Sequence, residues 1–174
     1  LEPILGEGGV VPLDAEFLAA AAELPPLLAF DEIQVGVGRT GSFFAFEQLG
    51  VRPDLVTLAK GLANGLPIGA FLAADDAVRA FEPGDHGSTF GGNPVSCAAA
   101  LGVLETVDEQ LLENVRDRGS QLATGLEGVA GVVSVRGRGL LLGVVIEGHA
   151  ADAVDAARAE GLLMLTAGGD VVRL

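Results

Sequence analysis

The sequence has no Trp and no Tyr, one Cys, one Met and two His. Of its ten basic residues only Lys60 is a lysine; the other nine are Arg. Each shortage excludes something. A lone thiol, Cys97, makes neither an internal disulfide nor a cysteine-rich metal site, and such usage fits a reducing compartment. Set in an alanine-rich helical pattern, Cys97 reads as inert core. His86 and His149 lack metal-ligand spacing, so no metal is expected. Ten cations against 24 acidic residues leave a net charge of −14, which repels a polyphosphate backbone and argues against nucleic-acid partners. No run of about 18 apolar residues occurs, so no membrane span is expected. No basic segment followed by an apolar one marks a secretion signal. The cytoplasm is the expected compartment.

Apolar residues are plentiful, at 49% of 174, which suffices for a core and excludes disorder. The length suits one ordinary domain, or one and a fraction. The 26 Gly fall in short clusters, as tight turns and close backbone approaches require.

Along the chain, Leu1 to Val11 reads as a strand end entering the turn Gly6-Glu7-Gly8-Gly9. Asp14 to Leu24 has helical spacing with Asp14 as its cap, and Pro25-Pro26 stops it. Leu27 to Phe30, Asp54 to Ala59 and Leu66 to Ala73 are short apolar runs of the kind found in parallel strands covered on both faces. Gly87 to Asn93 is a polar glycine-rich loop, and Pro94 opens a helical pattern that runs to about Leu126 with a break near Asp108. After Gly119 to Gly131 come two strands, Val132 to Arg136 and Leu140 to Glu147, a helix over Ala150 to Glu160, and strands at Leu162 to Thr166 and Asp170 to Leu174. The pattern predicts a parallel-sheet α/β region over residues 1–118 and a smaller α+β region over 119–174. Ending in mid-strand with no closing helix, the chain reads as a fragment.

Ligands of open α/β sheets sit at the carboxyl ends of the strands. Asp31 stands at such an end after Leu27 to Phe30, and Lys60 at another after Leu55 to Ala59. An unpaired charge there is costly, and burial would lower the lysine pKa and expose the neutral amine needed for imine formation. Snorkelling to solvent is the alternative for Lys60. Asp31-Glu32 after an apolar run also describes the magnesium-holding strand of a P-loop NTPase, but the G-x-x-x-x-G-K-[ST] loop is absent. Gly87 to Asn93 combines hydroxyls, amides and a helix start, the ingredients of an anion cradle as well as of a simple turn.

The block LLAFDEIQVGVGRTGSFFAFEQLGVRPDLVTLAKGLANGLPIGA, Leu27 to Ala70, resembles the signature of the class III pyridoxal-phosphate aminotransferases. EPILGEGGV at the start and GDHGSTFGGNP at Gly84 to Pro94 match further blocks of that family in the same order, and the last is most similar to its acetylornithine branch. Leu5 departs from the usual glutamine. The resemblance implies fold type I of the pyridoxal-phosphate transferases: part of the large, mainly parallel-sheet domain (residues 1–118) and part of the small C-terminal α+β domain (119–174). It implies pyridoxal 5'-phosphate as cofactor, held through an aldimine on Lys60, which then becomes the proton-moving base. Asp31 would pair with the pyridine nitrogen, Gln34 would contact the phenolic oxygen, and Thr89 with Ser88 would bind the phosphate in the neighbouring subunit of a homodimer. Glu7 and Arg173 match a pair that gates dual substrate recognition, the glutamate neutralising the arginine until a second substrate's carboxylate arrives. The implied reaction moves the δ-amino group of N2-acetylornithine to 2-oxoglutarate. Ornithine, 4-aminobutyrate or succinyl-diaminopimelate as donor, and a non-catalytic fragment, remain open. The family's upstream half, with its other cofactor-binding residues, is absent from this chain, so the chain alone is expected to be a poor or inactive catalyst.

Overall fold

The computed structural model describes the backbone of residues 1–174 and every side chain except those of Asp75, Asp76 and Ala80. Two short antiparallel strands, β1 (Ile4–Leu5) and β2 (Val11–Pro12), enclose the glycine-rich turn. Helix α1 (Ala15–Ala22) starts where the Asp14 carboxylate accepts from the amides of Glu16 and Phe17. An eight-residue helix is marginal by itself. Its stability comes from Leu18, fully buried against Leu28 and Phe30, and burying a side chain of that size stabilises by about 1.5–3 kcal/mol.

The first sheet has the order β3 (Ala29–Asp31), β4 (Leu55–Leu58), β5 (Ala70–Ala73). Strands β3 and β4 are parallel, as expected, but β5 runs antiparallel to β4. The connection over residues 59–69 is too short for a parallel crossover, which needs a dozen or more residues and usually a helix, so the chain reverses instead. The third strand is also shorter than its apolar run, and it is not covered on both faces: Phe71 and Leu72 are exposed.

Helix α2 (Pro94–Thr106) begins at Asn93, whose side-chain oxygen accepts from Val95 N at 3.0 Å and Ser96 N at 3.3 Å. Helix α3 (Glu109–Glu127) begins at Asp108, so the break falls where the sequence placed it. Although apolar around most of its circumference, α2 buries only Ser96 and Ala100, while Val95, Leu101 and Leu104 stay exposed. Cys97 is half-buried rather than part of the core, because it lies beside that uncovered face.

The second sheet is antiparallel throughout: β6 (Val132–Arg138), β7 (Leu141–Ile146), β8 (Leu165–Thr166) and β9 (Val171–Arg173) in the order β6-β7-β9-β8. Helix α4 (Ala150–Ala159) packs Val154 against Val144 and Val172. One core cluster ties this sheet to the N-terminal segment, joining Ile4, Val10 and Val35 to Leu141, Ala167 and Val171.

The expected division at 118/119 falls inside α3, at a point of close backbone approach. A Cβ on Gly119 would overlap the carbonyl oxygen of Gly139, and one on Gly139 would lie 2.6 Å from the carbonyl carbon of Thr40. Backbone cannot step aside as a side chain can. Gly119→Ala is therefore expected to destabilise the full-length protein by about 1–3 kcal/mol. A lower urea midpoint at constant m-value is the expected result, and an unchanged midpoint would contradict this packing.

Candidate active site

The parallel pairing of β3 and β4 brings two carboxyl ends side by side. Asp31 lies in register with Thr57, and Lys60 follows three residues later. Asp31 is half-buried, and its Oδ1 accepts from Ile33 N at 2.9 Å. This local turn directs the next residues, Ile33 and Gln34, into the wall of a cavity of about 440 Å³. Lys60, Arg39 and Arg173 share that wall, and Leu163 and Met164 add an apolar one. The volume lies within the range of small-molecule sites.

Glu32, the neighbour of Asp31, points the other way and is fully buried. Its two oxygens accept from Ala45 N at 2.8 Å and Phe46 N at 2.9 Å, at the start of the short 3₁₀ turn Ala45–Gln48. Burial raises its pKa above the ordinary carboxylate value, and the two amide bonds oppose that rise. The consecutive carboxylates thus divide into one at the strand end and one that holds a loop. The local sequence around Glu32 suggests only the acidic pair of a metal-holding strand; its structural task depends on amides 13 and 14 residues away.

Lys60 is exposed, as in the snorkelling alternative and not as a buried strand-end lysine. The chain leaves the sheet at Ala59 and enters a 3₁₀ turn, Lys60–Ala63, so the side chain stands at the open mouth of the cavity, where water solvates it. Its φ of 43° is left-handed, as is the φ of 54° at Val37 on the same wall. Such conformations cost about 1–3 kcal/mol each in residues other than glycine, and they persist only where the surrounding structure enforces them. For β-branched Val37 this is a marked departure.

Gln34, Glu7 and Arg173 meet in one network. Arg173 Nη1 donates to Glu7 Oε1 at 2.5 Å and to Gln34 Oε1 at 3.3 Å, while Gln34 Nε2 donates to Glu7 Oε1 at 3.4 Å. Arg173 is mostly buried, with 13% of its side chain exposed, and Glu7 is open to solvent at 73%. The hydrogen bond and charge of Arg173 hold the Glu7 carboxyl below the usual carboxylate range, with a small further contribution from Lys60. Glu7, Gln34, Lys60 and Arg173, which are dispersed in sequence, are therefore neighbours in space. Ser88 and Thr89 are not part of this group. They lie on the exposed loop before α2 and do not line the Lys60 cavity.

Two further features of the site have no motif in the sequence. Arg39 lines the cavity and donates to the carbonyl of Leu140 at 3.2 Å, so three of the ten basic residues of a strongly acidic chain converge on one cavity. Scarcity of cations was the available signal, and their convergence suits a ligand bearing carboxylate or phosphate. Thr57 Oγ1, on the strand position paired with Asp31, is buried without a hydrogen-bond partner among the described residues, leaving bonding capacity unmet there. Among the described residues no cluster of His, Cys, Asp and Glu is arranged to hold a metal ion, and no helix is long and apolar enough to cross a membrane.

The family model described as Aminotransferase class-III matches residues 1–174. Acetylornithine aminotransferase of Gloeobacter violaceus is 52% identical over 99% of this chain and 46% of its own length, and that of Corynebacterium efficiens is 51% identical over 100% and 44%. Among solved structures, the N-acetylornithine aminotransferase of Stenotrophomonas maltophilia K279a superposes with a TM-score of 0.90 at 42% identity, covering 100% of this chain and 49% of that one. The ornithine aminotransferase of Toxoplasma gondii ME49 also gives 0.90, at 38% identity over 99% and 44%. The chain spans about half the length of the relatives it matches. A match along its whole length, at about half identity and with the same fold, places this chain in the class III aminotransferase family.

Proposed function

We propose that this chain is the lysine-bearing part of a pyridoxal-phosphate-dependent aminotransferase whose full-length form moves the δ-amino group of N2-acetylornithine to 2-oxoglutarate, a step of arginine biosynthesis. The observation that carries the reading is the convergence of Lys60, Gln34 and Arg173 on one cavity, with Asp31 at the adjacent strand end. The donor set fits the cofactor: an amine to bond its aldehyde, a carboxylate for its pyridine nitrogen and an amide for its phenolic oxygen. When bound, pyridoxal phosphate supplies an electron sink for a carbanion at the substrate Cα. Lys60 would attach the cofactor and, once released, would move the proton at the substrate Cα through its Nζ. Asp31 would hold the pyridine nitrogen, with one of its oxygens already fixed by Ile33 N. Glu7 would neutralise Arg173 until the carboxylate of 2-oxoglutarate takes its place.

Ser88 and Thr89 would bind the phosphate in the neighbouring subunit of a homodimer, a role that suits their separation from the Lys60 cavity. The exposed Val95, Leu101 and Leu104 of α2 support a covered face in the assembled enzyme, because a helix apolar on most sides is ordinarily enclosed. In this reading residues 1–118 belong to the large domain, residues 119–174 to the small domain, and the enzyme works in the cytoplasm. Ornithine as donor is the second reading, supported by the equal TM-score of the T. gondii enzyme.

The test uses the full-length protein loaded with pyridoxal phosphate, reduced with borohydride and mapped by peptide. Label on Lys60 is the expected result; label on another residue, or none, overturns the reading and leaves a non-catalytic fragment of the family. Turnover of N2-acetylornithine should exceed that of ornithine, 4-aminobutyrate and succinyl-diaminopimelate, and the reverse ranking replaces the donor.

A further inference from the structure

Gly6 lies where a side chain would disturb the site most specifically. A Cβ built on it would overlap Gln34 Oε1 and stand 2.5 Å from Gln34 Cδ. The φ of Gly6 is not left-handed, so backbone conformation does not demand glycine there. What the missing side chain provides is room for one amide. That amide has its oxygen on Arg173 and its nitrogen on Glu7, and only this orientation gives both hydrogen bonds a donor and an acceptor. Arg173 Nη1 is thereby held by two acceptors, one charged and one neutral.

We propose that Gly6 and Gln34 form a latch on Arg173: the bare Gly6 backbone seats the Gln34 amide, and the amide keeps Arg173 on Glu7 rather than free for an incoming substrate carboxylate. The latch rests on the proposed function. Glu7 is mostly exposed and Arg173 mostly buried, so a solvated carboxylate could exchange readily with another one arriving from the cavity. The Gln34 amide adds a restraint that such a carboxylate must overcome. Gln34 also lines the cavity beside Lys60, so the group that restrains Arg173 faces the reacting space. Gly6 is a positioning residue, acting through Gln34.

The test uses glutarate, a dicarboxylate without the keto group, titrated calorimetrically into full-length enzyme loaded with pyridoxal phosphate. Loss of two modest hydrogen bonds should tighten glutarate binding to Gln34→Ala by roughly three- to tenfold. Gly6→Ala should do the same, because its Cβ displaces the flexible end of a side chain rather than backbone. The double variant should match Gln34→Ala alone, since Gly6 has nothing left to seat. Unchanged or weaker glutarate binding in Gln34→Ala overturns the latch, as does an additional effect of Gly6→Ala in the Gln34→Ala background. If the wild-type enzyme fails to bind glutarate, both the latch and the dual-substrate reading fall. If it binds and the variants are inert, only the latch does.

Discussion

Replacing Lys60 with Ala in the full-length protein is expected to lower kcat/KM for transamination by at least roughly 10⁴-fold. A residue that supplies both the cofactor-bonding amine and the proton-moving base removes two contributions at once, and proton transfer alone accounts for about 10²–10⁴. Lys60→Arg keeps the positive charge at the cavity mouth but cannot offer a neutral amine, so the same loss is expected. If Lys60→Arg instead kept substantial activity, the lysine would be acting only as a charge. The left-handed φ of 43° provides a control for folding. Lys60→Gly relieves that strain, so it should be at least as stable as wild type while remaining inactive. Single-turnover amino transfer and urea unfolding measure the two quantities separately.

Glu32→Ala is expected to produce the largest change in stability, about 2–6 kcal/mol. It leaves the buried amide of Ala45 and the part-buried amide of Phe46 without acceptors, and each such orphan costs about 1–3 kcal/mol. The same residue makes stability depend on pH, and the sign follows from its raised pKa. The folded state holds the proton more tightly than the unfolded chain, in which a glutamate titrates at about 4.3. Its contribution is fully present below that value and is lost as pH rises through the higher folded pKa. Glu32→Gln should remove this component of the pH profile. It should still destabilise at neutral pH, because its NH₂ faces an amide donor. A Glu32→Gln protein with the wild-type pH profile would show that the carboxyl is not the titrating group. Both results are read from urea midpoints across pH.

Much of this was legible in the chain because it is local chemistry. Asp14, Asn93 and Asp108 cap helices through amides two or three residues away; Asp14 is legible by its type, the start of α2 by Pro94 and the start of α3 by the break at Asp108. The ends of Leu27 to Phe30 and of Leu55 to Ala59 pointed to Asp31 and Lys60, since a short apolar run must stop where charge begins. The direction of β5 was not legible, because apolar content is the same whichever way a strand runs and only the short path back from β4 decides it. Neither was the exposure of Lys60, which depends on the chain turning out of the sheet at Ala59.

By itself, then, the sequence determined which elements occur and in what order, which family blocks are present and that a single lysine follows an apolar strand. Only the tertiary structure decided which residues meet. Glu7 and Arg173 are 166 residues apart and Gln34 and Arg173 are 139, and no local preference encodes such contacts. They arise because a shared core locks Ile4 and Val10 against Leu141 and Val171, bringing the N-terminal turn to β9. The role of Glu32, the convergence of Arg39 with Lys60 and Arg173, and the space kept at Gly6 follow from that packing. Proximity between distant segments is a product of how apolar surfaces close on one another, and that is a property of the whole chain.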